Sequence, residues 1–429
     1  MRKLSFRASF LFCALAYTVF LAIGYYQISV RFGYYGFFAA KDLSAISFGG
    51  LFFLACVLVI QSLTSNKQIY SISAIWAYFI SIPACVGYAL NPYLHLNIAL
   101  VPVMFHLTFV CCLGILSSTV VHSQVRIKRA HVWGLFALVA GAIVYFSNQI
   151  SLSNLFLSIY EVRLQADSGE SRLAGYAYAA LSRVIIPLLA VICLYQRYYV
   201  GFLLALAALI LFFTIGAVKS VLIGFVTASI FARVRDFYSL NKRISYFFLA
   251  LAVLAVIEEL IFKYLPYYGL WPVPVLHDFF VRRVLLFPSI LSSYYYSHFD
   301  GNFLLYSELI GGANEIPEGL SISQYVGQAV MPYLTDPSVG VYVDGFVNLG
   351  VIGVILNGVV FGLLLFPLVA SRVPPYFFGI VLYFVYLANT AFLSTLLFSH
   401  GLVFGVILLS MVRLQPHGYN IRFAPFQSK

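Results

Sequence analysis

Apolar stretches and short polar breaks alternate along the whole chain. Mostly apolar runs occur at about 9–29, 45–64, 70–90, 97–118, 132–149, 176–195, 198–217, 220–235, 244–264, 342–368, 375–395 and 397–413. Runs of about 20 apolar residues match a helix crossing a hydrocarbon layer about 30 Å thick. They lack the strict alternation of lipid-facing barrel strands, so the pattern predicts about twelve transmembrane helices. Two intervals break the rhythm: 150–175, of about 25 residues, and 265–341, of about 75. Long connections in a compact protein usually carry function. The second interval holds Trp271, Tyr294, Tyr295, Tyr296, Tyr325 and the apolar stretch Val284 to Phe287. It is therefore expected to fold, partly as short helices lying on the membrane face.

Composition agrees with that class. Of 429 residues, 62% are hydrophobic, 18% aromatic and 9% charged, against roughly 25% charged in a soluble domain. A soluble enzyme on a membrane anchor is excluded, and residues 1–429 read as one polytopic, all-α membrane domain. No internal repeat is visible, and the two halves differ in loop pattern, which weakens a transporter built from repeats.

The formal charge of +11 raises the question of nucleic acid, but the basic residues sit mainly in short loops. With the N-terminus cytoplasmic, the inner loops hold 16 of them and the outer side 8, while Arg183 lies within a span. Of the 14 acidic residues, Asp236 alone falls inside. The positive-inside rule then predicts a multi-pass protein with both termini cytoplasmic. The first run is too long for a cleavable signal peptide and lacks its small-residue cleavage site. All six cysteines lie inside apolar runs, without metal-site spacing, and read as small core residues.

Chemistry is expected at the outer end, where the costly charges are. Arg183, in Leu181-Ser182-Arg183-Val184, sits one to two turns inside a span. A cation at the bilayer centre costs about 2.5–3.5 kcal/mol on insertion scales. Either it faces a cavity and binds an anion, or it reaches the headgroups or pairs with a carboxylate such as Glu258. Lys219, in a very short turn, divides between anion ligand and headgroup anchor. His277-Asp278-Phe279-Phe280-Val281-Arg282-Arg283-Val284 reads as an amphipathic helix ending near Pro288. Asp278 and Arg282 are four apart and can pair, whereas Arg283 projects to another side without an evident partner. Arg163 is a comparable loop cation. Arginine suits a diphosphate because its planar fork gives two charge-assisted hydrogen bonds.

An acceptor hydroxyl needs a base within hydrogen-bond reach. The candidates are His298, Asp300, Glu308, Asp344, Glu161 and His400. His298 could equally be an interfacial residue. Tyr294 to Tyr296 suit stacking on sugar rings, and equally an aromatic belt. No paired-aspartate motif, His-Glu-x-x-His or Gly-rich phosphate loop is present, so no metal or other cofactor is expected.

Gly340-Val341-Tyr342-Val343-Asp344-Gly345-Phe346-Val347-Asn348-Leu349-Gly350-Val351-Ile352-Gly353, followed by Asn357-Gly358 and Gly362, resembles a stretch of bacterial O-antigen polymerases. In that family a short aromatic-Asn-aromatic/Leu-Gly-x-x-Gly segment opens the helix after a large periplasmic loop. Arg283 with Pro288 and Tyr294 to Phe299 is similar to the family's loop pattern, and Lys219-Ser220 to its basic-Ser turn. Arg163 and Gly175 depart from it, being one residue further apart than in some members. The resemblance implies a GT-C-like glycosyltransferase of the bacterial inner membrane, and the absent metal motifs lead to the expectation that it works without metal. It would polymerise undecaprenyl-diphosphate-linked oligosaccharide repeat units, with one lipid-linked chain as donor and another as acceptor. Among the candidate bases, catalytic roles are expected of His298, Asp300 and Asp344. Substrate binding would fall to Arg163, Arg183, Lys219, Arg282, Arg283, Tyr295 and Asn348. Membrane lipids and a chain-length regulator protein would be the other partners, with no nucleic acid. An O-antigen ligase, or a polysaccharide flippase or transporter, remains open at this point.

Overall fold

The structure is a computed structural model that describes residues 2–39, 48–118, 125–151, 154, 172–216, 219–264, 274–306, 316, 321–330 and 339–414. Arg163, Glu161 and Glu308 lie outside them. Among the described residues six helices are long and apolar enough to cross a membrane: Arg7–Phe32, Lys67–Leu90, Asn97–Leu116, Ala174–Tyr195, Phe237–Tyr264 and Val341–Ala370. Shorter apolar helices cover Phe48–Leu63, Ala130–Tyr145, Tyr199–Ile215, Lys219–Phe231, Pro375–Ala388 and Leu402–Met411. The protein is therefore an all-helical membrane protein, and one two-residue parallel strand pair, Val125–Arg126 with Val412–Arg413, ties two connections together.

In chain order the helices used below are α1 (Arg2–Phe32), α2 (Phe48–Leu63), α3 (Lys67–Leu90), α4 (Asn97–Leu116), α5 (Ala174–Tyr195) and α6 (Lys219–Phe231). They continue with α7 (Phe237–Tyr264), α8 (Phe287–His298), α9 (Val341–Ala370), α10 (Phe378–Ala388), α11 (Leu393–Leu397) and α12 (Leu402–Met411). α9 lies along α4, α1 along α7, and α6 along α10. Gly358 and Gly362, one turn apart on α9, bring the backbones of the first pair together. A methyl on either would stand 2.9 Å from the Cβ of Thr108 or Cys112, the close approach that small residues permit between membrane helices.

An aromatic cluster marks the centre, with Trp76 stacked on Phe105 at 4.9 Å and meeting Phe109, Phe361 and Tyr342. Beside it the fully buried His106 bonds the hydroxyls of Ser73 at 2.8 Å and Ser81 at 3.2 Å, and Ser73 donates to Gln61 at 2.6 Å. A polar side chain inside an apolar bundle persists where it is partnered in this way.

Three π-helical segments, Ala77–Ser81, Leu181–Ile185 and His277–Leu286, share a local cause. Each ends two residues before a proline: Pro83, Pro187 and Pro288. A proline within a helix lacks an N–H and crowds the carbonyl four residues back. A wider turn relieves that crowding without ending the helix. Pro102 and Pro367 lie inside α-helical turns, so the device is not obligatory. At Pro288 the consequence differs from the sequence expectation, because the chain continues as α8 to His298 rather than ending there.

Part of the 265–341 interval packs against the bundle. Leu285, Leu286, Tyr295 and Tyr296 are buried, and the π-helix packs on α1, α3 and α7 while α8 packs on α4 and α9. Apolar area gained against the bundle decides this placement.

Two further departures lie near the C-terminal end. The 375–395 run stays helical only to Ala388, and the next run is helical only over Leu402–Met411, so 389–401 is irregular apart from α11. α9 is broken at Leu349 (φ −142°, ψ 21°) and Gly350 (φ 60°, ψ −142°). The halves meet so closely that a methyl on Gly353 would run into the Gly345 carbonyl.

Candidate functional site

The π-helix His277–Leu286 sets the charge geometry. Its hydrogen bonds join residues five apart, so positions four and five beyond Asp278 both face it. Arg282 Nε donates to Asp278 Oδ1 at 2.6 Å, and Arg283 Nε to Oδ2 at 3.0 Å. The sequence expectation of an unpaired Arg283 is thus corrected: one carboxylate holds both arginines. The two differ in exposure. Arg282 is buried, its guanidinium 4.2 Å from the Phe32 ring centre and 5.6 Å from that of Tyr35. Arg283 leaves 54% of its side chain exposed.

Neighbouring charges are committed elsewhere. Arg31 pairs with Glu259 at 2.8 Å, and Glu258 accepts the His277 backbone N–H at 2.9 Å. Glu258 is therefore not the partner of Arg183. Burial first, and the Arg31 charge second, push His277 down to about 4. Its 3.6 Å contact with Glu259 is accordingly not a charge pair at neutral pH.

The break in α9 creates the second element. Leu349 and Gly350 interrupt the helical ladder and leave the Val347 and Asn348 carbonyls without helical partners. The Leu304 and Leu305 N–H groups bond those carbonyls, each at 3.0 Å. Asn348 then accepts the Tyr306 N–H at 2.8 Å and donates to Asp344, to the backbone oxygen at 2.8 Å and to Oδ1 at 3.0 Å. Tyr306 donates to Asn357, which itself donates to the Val341 carbonyl. Non-helical backbone at membrane depth survives where it is satisfied inside protein or lines a cavity, and these bonds supply that satisfaction.

The irregular segment 389–401 joins the parts. Asp344 Oδ2 accepts the Leu393 N–H at 2.9 Å at the start of α11. Asn389 donates to the Val284 carbonyl at 3.3 Å and accepts from Tyr342 at 3.0 Å. Arg183, buried on the π-helical turn of α5, donates to the Ser399 carbonyl at 2.9 Å and contacts the His400 ring. Two candidates far apart in sequence, Arg183 and Asp344, therefore converge with the Val284 carbonyl on one stretch that reads in sequence as two helix ends. Asn389 and Tyr306 were missed. The legible signal was an asparagine at the polar tail of an apolar run, which needs partners if buried.

The remaining candidates are placed as follows. Tyr295 is buried, its ring 6.3 Å from Phe392, and Tyr296 is buried against Phe346 at 4.8 Å. His298 is half-buried, its ring edge-on to Phe299 and Tyr325, and Asp300 is exposed. Lys219 is the exposed first residue of α6. Arg283 and His298 stand on one continuous helical stretch, and at 1.5 Å per residue they are about 20 Å apart. They cannot act on the same reacting atoms. Among the described residues no group of three His, Cys, Asp or Glu could hold a metal ion.

Neither a known family model, nor a curated protein, nor a solved structure matches the chain.

Asp344 tests structural against catalytic use. Replacement by leucine is expected to leave the Leu393 N–H and the Asn348 amide short of partners, at about 1–3 kcal/mol for each group. Thermal unfolding of the detergent-purified protein would show the loss. Asp344→Asn retains one acceptor oxygen and should unfold between the two. An Asp344→Asn protein with wild-type stability and no activity would instead make this carboxylate a proton acceptor.

Proposed function

We propose that the chain is a membrane-embedded glycosyltransferase of the GT-C type. It polymerises undecaprenyl-diphosphate-linked oligosaccharide repeat units into O-antigen, or a related surface polysaccharide, at the periplasmic face of the inner membrane. The observation that carries the reading is the arrangement at Asp278, where one carboxylate orients two guanidinium groups and Arg283 stays half exposed. A departing diphosphate gains charge as the glycosidic bond breaks. A fixed arginine aimed at that charge needs no reorganisation when the reaction occurs. The resemblance of the Tyr342 to Gly353 stretch to O-antigen polymerases supplies the reaction class.

On this reading the twelve apolar helices cross the membrane with both termini cytoplasmic. The π-helix, the break in α9 and segment 389–401 then lie toward the periplasm. Arg283 grips the donor diphosphate. His298 and Asp300, about 20 Å further along the helix, meet sugars of the chain rather than its reducing end. Arg183 holds segment 389–401 in place, and Asn348 with Asp344 fixes the broken helix beside it. Holding donor and acceptor together supplies the remaining rate enhancement.

The test is the surface polysaccharide of a strain lacking the gene. Core lipid carrying one repeat unit is the expected product, together with restoration of the full ladder by the wild-type gene. Free lipid-linked polymer in the deletion strain would overturn the reading in favour of a ligase. The purified protein is expected to extend lipid-linked repeats in excess chelator, and activity that returns only with added Mg²⁺ would overturn metal independence.

A further inference from the structure

At the end of the bundle where α1 begins, far from the Asp278 arginines in sequence, two cavities adjoin. One, of about 680 Å³, is lined by Arg7, Lys67, Tyr70, Asp236, Ser239 and Asn241. The other, of about 700 Å³, is an apolar groove between α2 and α4 that includes Cys56, Val59, Leu107, Cys111, Gly114 and Ser117. Thr64 and Ser65 line both, so the polar cavity opens at the mouth of the apolar one. The pairing of a chain-shaped apolar groove with a charged head pocket is the shape of an amphiphile.

The charges narrow the occupant. Arg7 and Lys67 are exposed cations lining the polar cavity, and such residues beside an apolar surface take up phosphate. The same cavity offers acceptors. Asp236 is exposed and holds its own helix start by accepting the Ser239 N–H at 2.9 Å and the Ser239 hydroxyl at 2.8 Å. The first of those bonds holds its carboxyl below the usual range, so it is charged at neutral pH. Asn241 is 3% exposed, and its Oδ1 has no hydrogen-bond partner among the described residues. A ligand here must bring an anion for Arg7 and Lys67 and a hydrogen-donating cation for Asp236. It must also bring an apolar chain for the groove.

We propose that this pair of cavities binds one phospholipid with an ethanolamine head. Its phosphate lies at Arg7 and Lys67, its ammonium at Asp236 and Asn241, and one acyl chain in the groove between α2 and α4. The site is separate from the proposed glycosyl-transfer centre and does not depend on it.

The test uses the full-length protein, stripped of lipid in detergent and titrated with phosphatidylethanolamine, phosphatidylglycerol or phosphatidylcholine, with bound lipid counted by native mass spectrometry. Phosphatidylethanolamine is expected to be retained at least several-fold better than phosphatidylcholine, whose methylated head cannot donate. Asp236→Asn should abolish that preference, and the double substitution of Arg7 and Lys67 by alanine should reduce retention of all three lipids. Gly114→Phe should reduce them too. A side chain there meets open space, nothing lying within 4 Å of the Cβ position, so it blocks the groove without a clash. Arg233→Ala, a basic residue outside both cavities, should change nothing. Equal retention of the three lipids by the wild-type protein would overturn the proposal. So would displacement of the lipid by millimolar inorganic phosphate together with unchanged retention in Gly114→Phe, since the head pocket would then be a phosphate site alone.

Discussion

Arg283→Ala is expected to collapse the polysaccharide ladder while the amount of folded protein stays at the wild-type level. The side chain is half exposed and shares Asp278 with Arg282, so its removal leaves the buried carboxylate still paired. If its guanidinium meets the diphosphate most strongly in the transition state, the loss is about 2–4 kcal/mol of barrier, roughly 30- to 1,000-fold in rate. Arg283→Lys keeps the charge but not the fork and should recover a small part of that. Arg282→Ala should behave in the opposite sense. It removes the buried partner of Asp278 and the cation lying over Phe32 and Tyr35. Breaking a buried pair typically costs about 3–5 kcal/mol, reduced here because Arg283 remains, and the readout is less folded protein. Chain-length distribution normalised to folded protein separates the two. A wild-type ladder from Arg283→Ala at normal expression would end the assignment.

Gly350→Ala is expected to destabilise the protein through both backbone and packing. The backbone at φ 60° and ψ −142° is a conformation that side-chain-bearing residues avoid, at a cost of about 1–3 kcal/mol. The added carbon would also stand 2.7 Å from the Phe303 ring, which has to move, at about 1–3 kcal/mol more. Together these predict about 2–6 kcal/mol of destabilisation, seen as a lower unfolding temperature in detergent and a smaller folded yield. Adding Phe303→Ala should return the steric part and leave the backbone part. If Gly350→Ala unfolds at the wild-type temperature, the helix is not broken there in the folded protein.

Both predictions rest on features that the sequence revealed unequally. The apolar runs were legible because hydrocarbon thickness and helix rise fix one length scale, and twelve runs correspond to helices or pieces of helices. The Val347-Asn348-Leu349-Gly350 stretch also stood out, since Gly350 and Gly353 answer local demands that few other residues meet. The three prolines beyond the π turns were equally visible, and a crowded carbonyl is a local event. A proline alone does not say which turn will widen, however, as α-helical Pro102 and Pro367 show.

What the tertiary structure decided is the partnering of polar groups across the chain. Counted on an α-helix, Arg283 points away from Asp278, and the wider π turn reverses that. Residues 389–401 are apolar enough to read as two helix ends. They leave the helix because their backbone groups find partners 49 residues away in Asp344 and 216 away in Arg183. A hydrogen bond between such distant positions leaves no periodic trace in sequence. Burial in an apolar bundle makes an unmade bond costly enough that the chain bends to form it.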